Sequence, residues 1–460
     1  MSLPTAERLR ALIAALEAGL LEREAAVRLA LLAALAGEHV LLIGPPGTAK
    51  SELARRLHRA FEGAPYFERL LTRFSTPEEL FGPLSLKALE ADRYERQTAG
   101  FLPTAGIAFL DEVFKANSAI LNALLTLLNE REFDNGSGRE RTPLISVVGA
   151  SNEVPADEAL VAFFDRFLVR VPVAPVGDES FGALLALAPP TAGAAVPLSP
   201  ADRDAVAAAA ARVEIGADAL AALHALRAWL RTQSLAVSDR RWRQCVGLLR
   251  TAAATEGRPT IDALDLWLAP YVAAAEPADV PRIAAWVDAE IARALPQEAP
   301  WLARAVQAFD KQLEVERSAP TEEGDDGAGK LALARAIGMT EEGEDGMVRV
   351  VSARLEDRLR RRWSTVHIAA RVAQVDELVA HAAAQRTAVS AEADALAARL
   401  QGRVWLPPAL AARWLGAHAQ TLAVLDGLLA TLARTREGFA ALPVDDTLPA
   451  VEPAPVALPA

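Results

Sequence analysis

The sequence predicts an α/β domain built on a parallel sheet, followed by regions that are entirely helical. Short apolar runs at 39–44, 107–112, 144–152 and 167–173 are typical of buried strands. An amphipathic segment at 117–132 lies between two of these runs, and such alternation predicts a parallel sheet with helices on both faces. After position 200, apolar residues recur every three or four positions, which predicts helices only.

These patterns divide the 460 residues into six predicted parts. Glycine and proline mark the first boundary, and an acidic, glycine-rich stretch marks a later one. The parts are an α/β core at 1–175, a connector at 176–200, an all-helical lid at 201–310, an acidic flexible linker or reduced insert at 311–350, a C-terminal antiparallel helical domain at 351–435, and a disordered proline-rich tail at 436–460.

The composition narrows the class of protein. A net charge of −12 argues against a protein that coats nucleic acid, because such binding depends on Lys and Arg neutralising phosphates. The N-terminus carries charges within its apolar stretch, and no uncharged apolar run approaches the roughly 18 residues of a membrane span. The single cysteine, Cys245, fits a small buried residue in a reducing compartment. We therefore expect a cytoplasmic protein with no transmembrane segment and no nucleic-acid ligand.

A phosphate-binding loop is predicted at 44–51, GPPGTAKS, between a strand and a helix. Glycines permit a loop whose backbone N–H groups point at a phosphate, and the helix N-terminus favours the anion. The lysine can contact the β- and γ-phosphates, and the hydroxyl after it can bind Mg²⁺. Glycine is usual before that lysine, and the alanine found here is compatible with the loop if its backbone is helical. The predicted ATP-binding residues are Gly44, Pro45, Pro46, Gly47, Thr48, Ala49, Lys50 and Ser51.

Two further strands are predicted to end in polar side chains that complete such a site. The run at 107–112 ends in Asp111 and Glu112. Asp111 is expected to bind Mg²⁺ together with Ser51, and Glu112 to polarise the attacking water as a general base. Asn152 follows the next strand and could orient the water or contact the γ-phosphate, although an ordinary strand-end turn would also explain it.

Two arginines complete the candidate set. Arg166 precedes the strand at 167–173, and Arg240 lies at the start of a lid helix that Ser238 or Asp239 would cap. Arginine stabilises the charge on a transferring phosphoryl group. Each arginine alone would equally well be a surface residue in an ion pair.

Together these motifs resemble the AAA+ superfamily, in particular its MoxR branch, with the RavA (regulatory ATPase variant A) subfamily as the nearest likeness. The resemblance covers residues 5–270 well and is looser from there to about 435. The segments that carry it include LLIGPPGTAKS, TRFSTPEELFGPLSL, TAGFLPTAGIAFLDEVFKA, ILNALLTLLNEREF, ASNEVP, LVAFFDRFLVRV and VSDRRW.

The resemblance implies a role for each residue of the set. Lys50 and Ser51 match Walker A, and Asp111 and Glu112 match Walker B. The other matches are Asn152 with sensor 1, Arg166 with the arginine finger that acts on a neighbouring subunit, Arg240 with sensor 2 (with Arg241 as a competing assignment), and Leu21 with a wall for the adenine, where plain core packing is the alternative.

The resemblance also implies pore-lining inserts and partners. Residues 84–105 match a helix-2 insert, and 131–144 match a hairpin before sensor 1. The β-rich partner-binding domain of RavA-type proteins is expected to be reduced or missing, because 318–350 offers only a short acidic stretch. The expected activity is Mg²⁺-dependent ATP hydrolysis by a homo-hexameric ring that remodels an unidentified protein client with a von Willebrand factor A-domain partner. A nucleotide-gated scaffold and a nucleic-acid motor are the alternatives.

Overall fold

A computed structural model describes residues 3–136, 138–155, 157–187, 195–293, 299–319 and 360–457. They fall into two compact units. The first unit spans Met1–Arg293 together with Leu400–Ala412, and the second spans Ala294–Arg399 together with Arg413–Ala460.

A five-stranded parallel sheet forms the centre of the first unit, which confirms the predicted α/β class. The strands are β1 (Val40–Ile43), β2 (Tyr66–Leu70), β3 (Ile107–Asp111), β6 (Ser146–Ser151) and β7 (Val169–Pro172), in the order β2-β3-β6-β1-β7. Every residue of β1 is buried, because the strand is central and helices cover the sheet. The order places the strand before the predicted phosphate loop beside β6, and β6 beside β3.

The remaining elements of the α/β core surround this sheet. A small antiparallel hairpin of β4 (Glu132–Asn135) and β5 (Gly138–Arg141) has Gly136 in its turn at φ +72°, as the Asn-Gly pair predicts. The helices are α1 (Ala6–Glu17), α2 (Glu24–Leu35), α3 (Lys50–Leu57), α4 (Pro77–Phe81), α5 (Leu86–Leu89), α6 (Ser118–Glu130), α7 (Glu158–Phe164) and α8 (Asp178–Leu185).

His39 fixes the entry into β1. Its ring is buried and accepts a hydrogen bond at Nδ1 from the Val147 N–H at 2.9 Å, so Nε2 carries the proton and donates to the Leu128 carbonyl at 3.1 Å. Burial holds the pKa of His39 well below its usual range. A neutral imidazole therefore joins β1, β6 and the end of α6 at the amino edge of the sheet.

The lid of the first unit is helical, with one two-stranded parallel pair. The pair is β8 (Glu214–Ile215) and β9 (Thr260–Ile261). The helices are α9 (Pro200–Ala210), α10 (Ala217–Thr232), α11 (Asp239–Thr255), α12 (Ala269–Ala273) and α13 (Asp279–Trp286). Cys245 of α11 is buried, as predicted, and burial raises the pKa of its thiol to about 12.

Residues 400–412 also belong to the first unit. The buried Trp405 donates its indole N–H to the Thr255 hydroxyl at 2.8 Å. Arg403 forms an ion pair with Asp265 at 2.5 Å and another with Asp262. A loop distant in sequence is thereby held by the lid through one aromatic anchor and one buried cation.

Within the described residues, the second unit contains three long helices: α14 (Pro300–Ser318), α15 (Thr365–Leu400) and α16 (Pro408–Ala440). Glu316, buried, accepts from Arg371 at 2.8 Å and pairs with His367 at 3.0 Å. Contrary to the predicted disordered tail, Val444 forms a β-bridge with Trp363, and the Ala454 carbonyl accepts from Arg371 at 2.8 Å. The predicted linker at 311–350 begins within α14, and its part from 320 onward lies outside the described residues.

By length and composition alone, one helix of the described ranges could cross a membrane, namely Pro408–Ala440. Its most apolar window is 28% buried. The buried side chains of Leu425, Leu432 and Phe439 pack in the apolar core of the second unit. Packing against α14 and α15 therefore accounts for part of this apolar character.

Candidate functional site

The predicted phosphate loop leaves the carboxyl end of β1 and leads into α3. Gly44 donates its N–H to the Ser151 carbonyl at 3.0 Å. A Cβ at this position would overlap the carbonyl of Val173 just after β7, so only glycine fits. The Thr48 hydroxyl closes the loop on itself by donating to the Pro45 carbonyl at 3.0 Å.

The backbone conformation of Ala49 differs from the one predicted. Its backbone is left-handed, with φ 66° and ψ 23°, and not helical as its tolerance was expected to require. The left-handed region is costly for a residue with a Cβ, by about 1 kcal/mol or more, whereas glycine occupies it freely. The alanine therefore introduces backbone strain directly before Lys50.

Lys50 is only 7% exposed and lies within the loop. Its Nζ donates to the carbonyls of Gly44 at 2.6 Å and Pro45 at 2.9 Å. Burial lowers the pKa of Lys50, while the charges of Asp111 and Glu112 oppose that shift. The lysine is thus directed into the loop, with both strand-end carboxylates near enough to stabilise its cation.

The backbone of the loop suits a polyphosphate. The N–H groups of Gly47, Thr48 and Ala49 donate no hydrogen bond to any acceptor within the described ranges. They lead into the first turn of α3, where the helix dipole favours an anion. Ser51 in that turn and Asp111 at the end of β3 supply two oxygen ligands. Mg²⁺ commonly takes one or two protein oxygens, with water and phosphate completing its shell, so these residues fit it.

Glu112 is held in a defined position beside the loop. Its φ is 51°, a sparsely populated region for a non-glycine residue that is common at functional sites. Its Oε1 accepts from the side-chain amide of Asn152 at 2.6 Å, and its Oε2 lies 3.3 Å from Lys115 Nζ. The structure therefore brings together Asp111, Glu112 and Asn152, as their strand-end positions suggested.

Arg166 lies at the opposite edge of the sheet. It precedes β7, whose first residue Val169 pairs with Val40 at the amino end of β1. The phosphate loop leaves the other end of β1, about 13 Å away for four residues of strand. Arg166 is half-buried, and its Nε contacts no acceptor among the described residues. It therefore does not join the Lys50 cluster of its own chain.

Arg241 lies at this same amino edge and is 4% exposed. Its guanidinium donates to the carbonyls of Val272 at 2.6 Å and Leu168 at 2.6 Å, and it forms an ion pair with Asp165 at 3.1 Å. Arg241 therefore connects the lid to the start of β7.

Arg240, by contrast, is exposed and donates to Asn129 Oδ1 at 3.0 Å at the end of α6. That contact places it at the amino edge, away from the phosphate loop of its own chain. Of the two competing arginines, Arg240 is the one whose side chain is accessible to another molecule.

Glu38 lies among these cations, just before β1. It accepts from Gln244 at 2.8 Å. Burial raises its pKa to about 7, although Arg131, Arg240 and Arg241 lower it in part. The amino edge therefore contains a carboxyl group that titrates near neutral pH.

Comparison with known proteins agrees with this geometry. Residues 7–199 match the family model of the MoxR domain in the MoxR-vWA-beta-propeller ternary systems, and residues 218–287 match an AAA lid domain.

Residues 7–199 are thus similar to a MoxR domain, and residues 218–287 to an AAA lid.

Curated relatives resemble part of the chain. Two uncharacterized proteins of Methanocaldococcus jannaschii are each 57% identical over 151 residues, which is 33% of this chain and 40% of each relative. Protein MoxR of Paracoccus denitrificans is 32% identical over 184 residues, which is 38% of this chain and 53% of that protein. The chain thus spans about two fifths to one half of the length of these relatives.

Two side chains that lie beside the candidate site, Arg23 and Lys115, were not predicted from the sequence. The buried Arg23 donates to the Thr48 carbonyl at 3.1 Å and to the Ala174 carbonyl at 2.5 Å. It therefore links the phosphate loop to the segment that follows β7. Leu21, half-buried, lies two residues before Arg23 and therefore near the loop. Lys115 was also missed, and its spacing of three residues after Glu112 is the signal that could have suggested it.

The two segments predicted to be inserts, 84–105 and 131–144, contact each other. The Arg96 N–H donates to Asn135 Oδ1 at 2.7 Å. A Cβ at Gly136 would overlap the carbonyl of Tyr94, so the hairpin turn lies directly on the insert. Phe81 and Phe133 stack below them with ring centroids 5.3 Å apart. Segment 84–105 and the hairpin therefore form one packed structure.

Proposed function

We propose that this chain hydrolyses ATP with Mg²⁺ at a site shared between neighbouring copies of a ring, and uses the hydrolysis to remodel or assemble a protein client. The observation that carries the proposal is the division of the site across the sheet. Lys50, Asp111, Glu112 and Asn152 converge at the carboxyl edge, while Arg166 and Arg240 lie at the amino edge of the same chain. Within the described residues, one copy does not bring Arg166 or Arg240 to its own phosphate loop.

The residues of the carboxyl edge would bind and position the nucleotide. The N–H groups of the loop and Lys50 would hold the β- and γ-phosphates, and Ser51 and Asp111 would hold Mg²⁺, which supplies charge neutralisation to the phosphates. Glu112 would accept a proton from the attacking water. Asn152, which donates to Glu112 at 2.6 Å, would fix the direction of that carboxylate.

The arginines would come from the next copy. Arg166 would stabilise charge on the γ-phosphoryl group, and such a finger contributes a factor of about 10³–10⁵ to turnover in other phosphoryl-transfer enzymes. Arg240, exposed at the same edge, would approach the same nucleotide. This arrangement changes the expected role of Arg240, since it would act on the neighbour.

The family description supports proteins with a von Willebrand factor A domain and with a β-propeller as partners. The joined inserts would face the client. They carry exposed apolar side chains at Leu86, Leu89 and Tyr94, which are 73%, 51% and 53% exposed. The proposal also includes a nearer likeness to the RavA subfamily, a hexameric ring and a cytoplasmic location.

The charges of the hairpin weigh against a nucleic-acid motor. Arg139, a candidate phosphate contact, forms ion pairs with Glu130 at 3.1 Å and Asp134 at 2.9 Å. Its charge is therefore compensated within the hairpin, and the chain as a whole carries −12. Affinity for nucleic acid depends on uncompensated Lys and Arg.

The test is the ATPase rate per chain as a function of protein concentration, with Lys50→Ala as the blank. We expect the rate per chain to rise with concentration and to fall by at least about 10³ in Arg166→Ala, because the finger acts between copies. A rate per chain that does not change with concentration and is insensitive to Arg166→Ala would contradict the proposal.

A nucleotide-gated scaffold is the second candidate, favoured by one observation. Both oxygens of the Glu112 carboxylate are engaged, by Asn152 at 2.6 Å and by Lys115 at 3.3 Å, which would hinder a general base. Glu112→Gln separates the candidates. If the chain is an ATPase, turnover falls by about 10²–10⁴ while binding of a fluorescent ATP analogue is retained. Unchanged turnover and unchanged nucleotide release would favour the scaffold.

A further inference from the structure

Helix α8 exposes an apolar face. It begins a few residues after β7, and none of its side chains is buried within the described ranges. Phe181, Leu184 and Leu185 are 52%, 41% and 73% exposed, and their spacing places them on one face. A helix of eight residues has little stability of its own and usually depends on the packing of an apolar face. Among the residues that the structure describes, this face has no such packing.

The start of α8 is attached to the phosphate loop. Glu22 accepts from the Gly177 N–H at 3.0 Å, and the Ser180 hydroxyl and that N–H together lower the pKa of Glu22. Arg23, the next residue, donates to the Thr48 carbonyl of the loop at 3.1 Å. Consequently α8 lies at the carboxyl edge, and Glu22 and Arg23 connect its start to the phosphate loop.

An apolar groove lies on the lid, between apolar side chains of α10 and α11. Its floor is formed by Ile215, Leu220, Leu223, Trp242 and Val246. Leu220 is 48% exposed and the others are half-buried. The groove adjoins Arg240 through Trp242, so it lies beside the arginine edge of the first unit.

We propose that α8 of one copy of this chain inserts into the lid groove of the next copy. The proposal rests on the shared site proposed above, and it names the contact that would assemble it. Each apolar surface adjoins one half of the divided site: α8 adjoins the phosphate loop, and the groove adjoins Arg240. A head-to-tail contact between two different surfaces generates a ring when the rotation closes.

The charges at the two surfaces are complementary. The first turn of α8 carries Asp178 and Glu179. The rim of the groove carries the exposed Arg227 and Arg243 together with Asp239, which lies 3.8 Å from Arg227, so the formal charge of the rim is still positive. Opposite charges around an apolar contact favour one orientation of docking over others. Since Glu22 joins α8 to the support of the loop, nucleotide binding in one copy would be transmitted to the lid of the next.

Crosslinking between two variants tests the contact directly. Leu185→Cys is made in one chain and Leu220→Cys in another, and the natural Cys245 is buried in both. With ATP and a short bismaleimide, we expect a covalent dimer when the two variants are mixed and at least about tenfold less from either alone. Equal crosslinking of either variant alone, or none in the mixture, would overturn the proposal.

Phe181→Asp distinguishes failure of this contact from failure of the shared site. We expect loss of assembly and a fall in ATPase rate of at least about tenfold, as for a buried aromatic anchor, with binding of a fluorescent ATP analogue retained. Val315→Asp, at a residue of the second unit with similar exposure (53%), is the matched control. Normal assembly and activity of Phe181→Asp, with Arg166→Ala inactive, would overturn the contact alone. Full activity of both variants as monomers would overturn the shared site as well.

Discussion

The carboxyl and amino edges of the parallel sheet carry opposite chemistry. The carboxyl edge has a loop of free N–H groups, one buried lysine and two carboxylates. The amino edge has arginines: Arg241 is buried, while Arg240 is exposed and Arg166 half-buried. The proposed function assigns the phosphates of a nucleotide to one edge and the charge that develops on them to the other. Under that proposal, a second copy is needed to unite the two edges.

The largest expected change in stability is that of Arg241→Ala at the amino edge. We expect Arg241→Ala to lower the free energy of unfolding by about 3 kcal/mol, because it leaves the buried carbonyls of Leu168 and Val272 without their donor. Arg240→Ala, the matched control one residue away, should change it by less than about 0.5 kcal/mol. Thermal unfolding of both variants measures the difference. Equal destabilisation would show that the two residues do not have separate roles.

Glu38 should make the amino edge sensitive to pH. Its pKa is raised from 4.5 to about 7 in the folded chain, so the folded state binds more protons than the unfolded state between these values. Stability contributed by this group is therefore lost as pH rises through that window. We expect Glu38→Gln to stabilise the chain by about 1–3 kcal/mol at pH 8 and by much less at pH 5. The measurement is the melting temperature of each variant relative to the parent at both values.

The exposed Glu62 supplies the control for that experiment. Glu62→Gln should give the same difference from the parent at both pH values. If the stabilisation by Glu38→Gln does not increase with pH, the raised pKa assigned to Glu38 in the folded chain is contradicted.

Ala49→Gly should produce the smallest effect, at the carboxyl edge. Glycine relieves the left-handed backbone of this position but adds entropy to the unfolded chain, so we expect a net gain of about 0.5–1 kcal/mol. Ala225→Gly, on an exposed part of α10, should instead lose about 1 kcal/mol. Thermal unfolding compares the two. A loss at both positions would indicate that the strain at Ala49 is relieved in another way.

Much of the carboxyl edge was predictable from the sequence because its chemistry follows strand ends. Four of the five strands are apolar runs, and the polar residues that follow them meet at one edge. β2 was missed because its sequence, YFERL, mixes polar and apolar residues, as suits a strand at the edge of the sheet.

The amino edge was less predictable, because its contacts join residues far apart in the chain. The resemblance favoured Arg240 with Arg241 as a competing assignment, and only the contacts of Arg241 with the carbonyls of Leu168 and Val272 separate the two structurally. The support of the loop by Arg23 and the groove of the lid also depend on tertiary contacts. Local pattern carries no signal for such pairs.

Mixing two inactive variants tests the divided site most directly. Lys50→Ala retains the arginine edge, and Arg166→Ala retains the phosphate loop. If the site is shared, random pairing in a one-to-one mixture restores about a quarter of the sites, so the mixture should recover up to about a quarter of the parental ATPase rate although neither variant alone is active. A mixture as inactive as its parts, under conditions in which both variants assemble, would contradict the account.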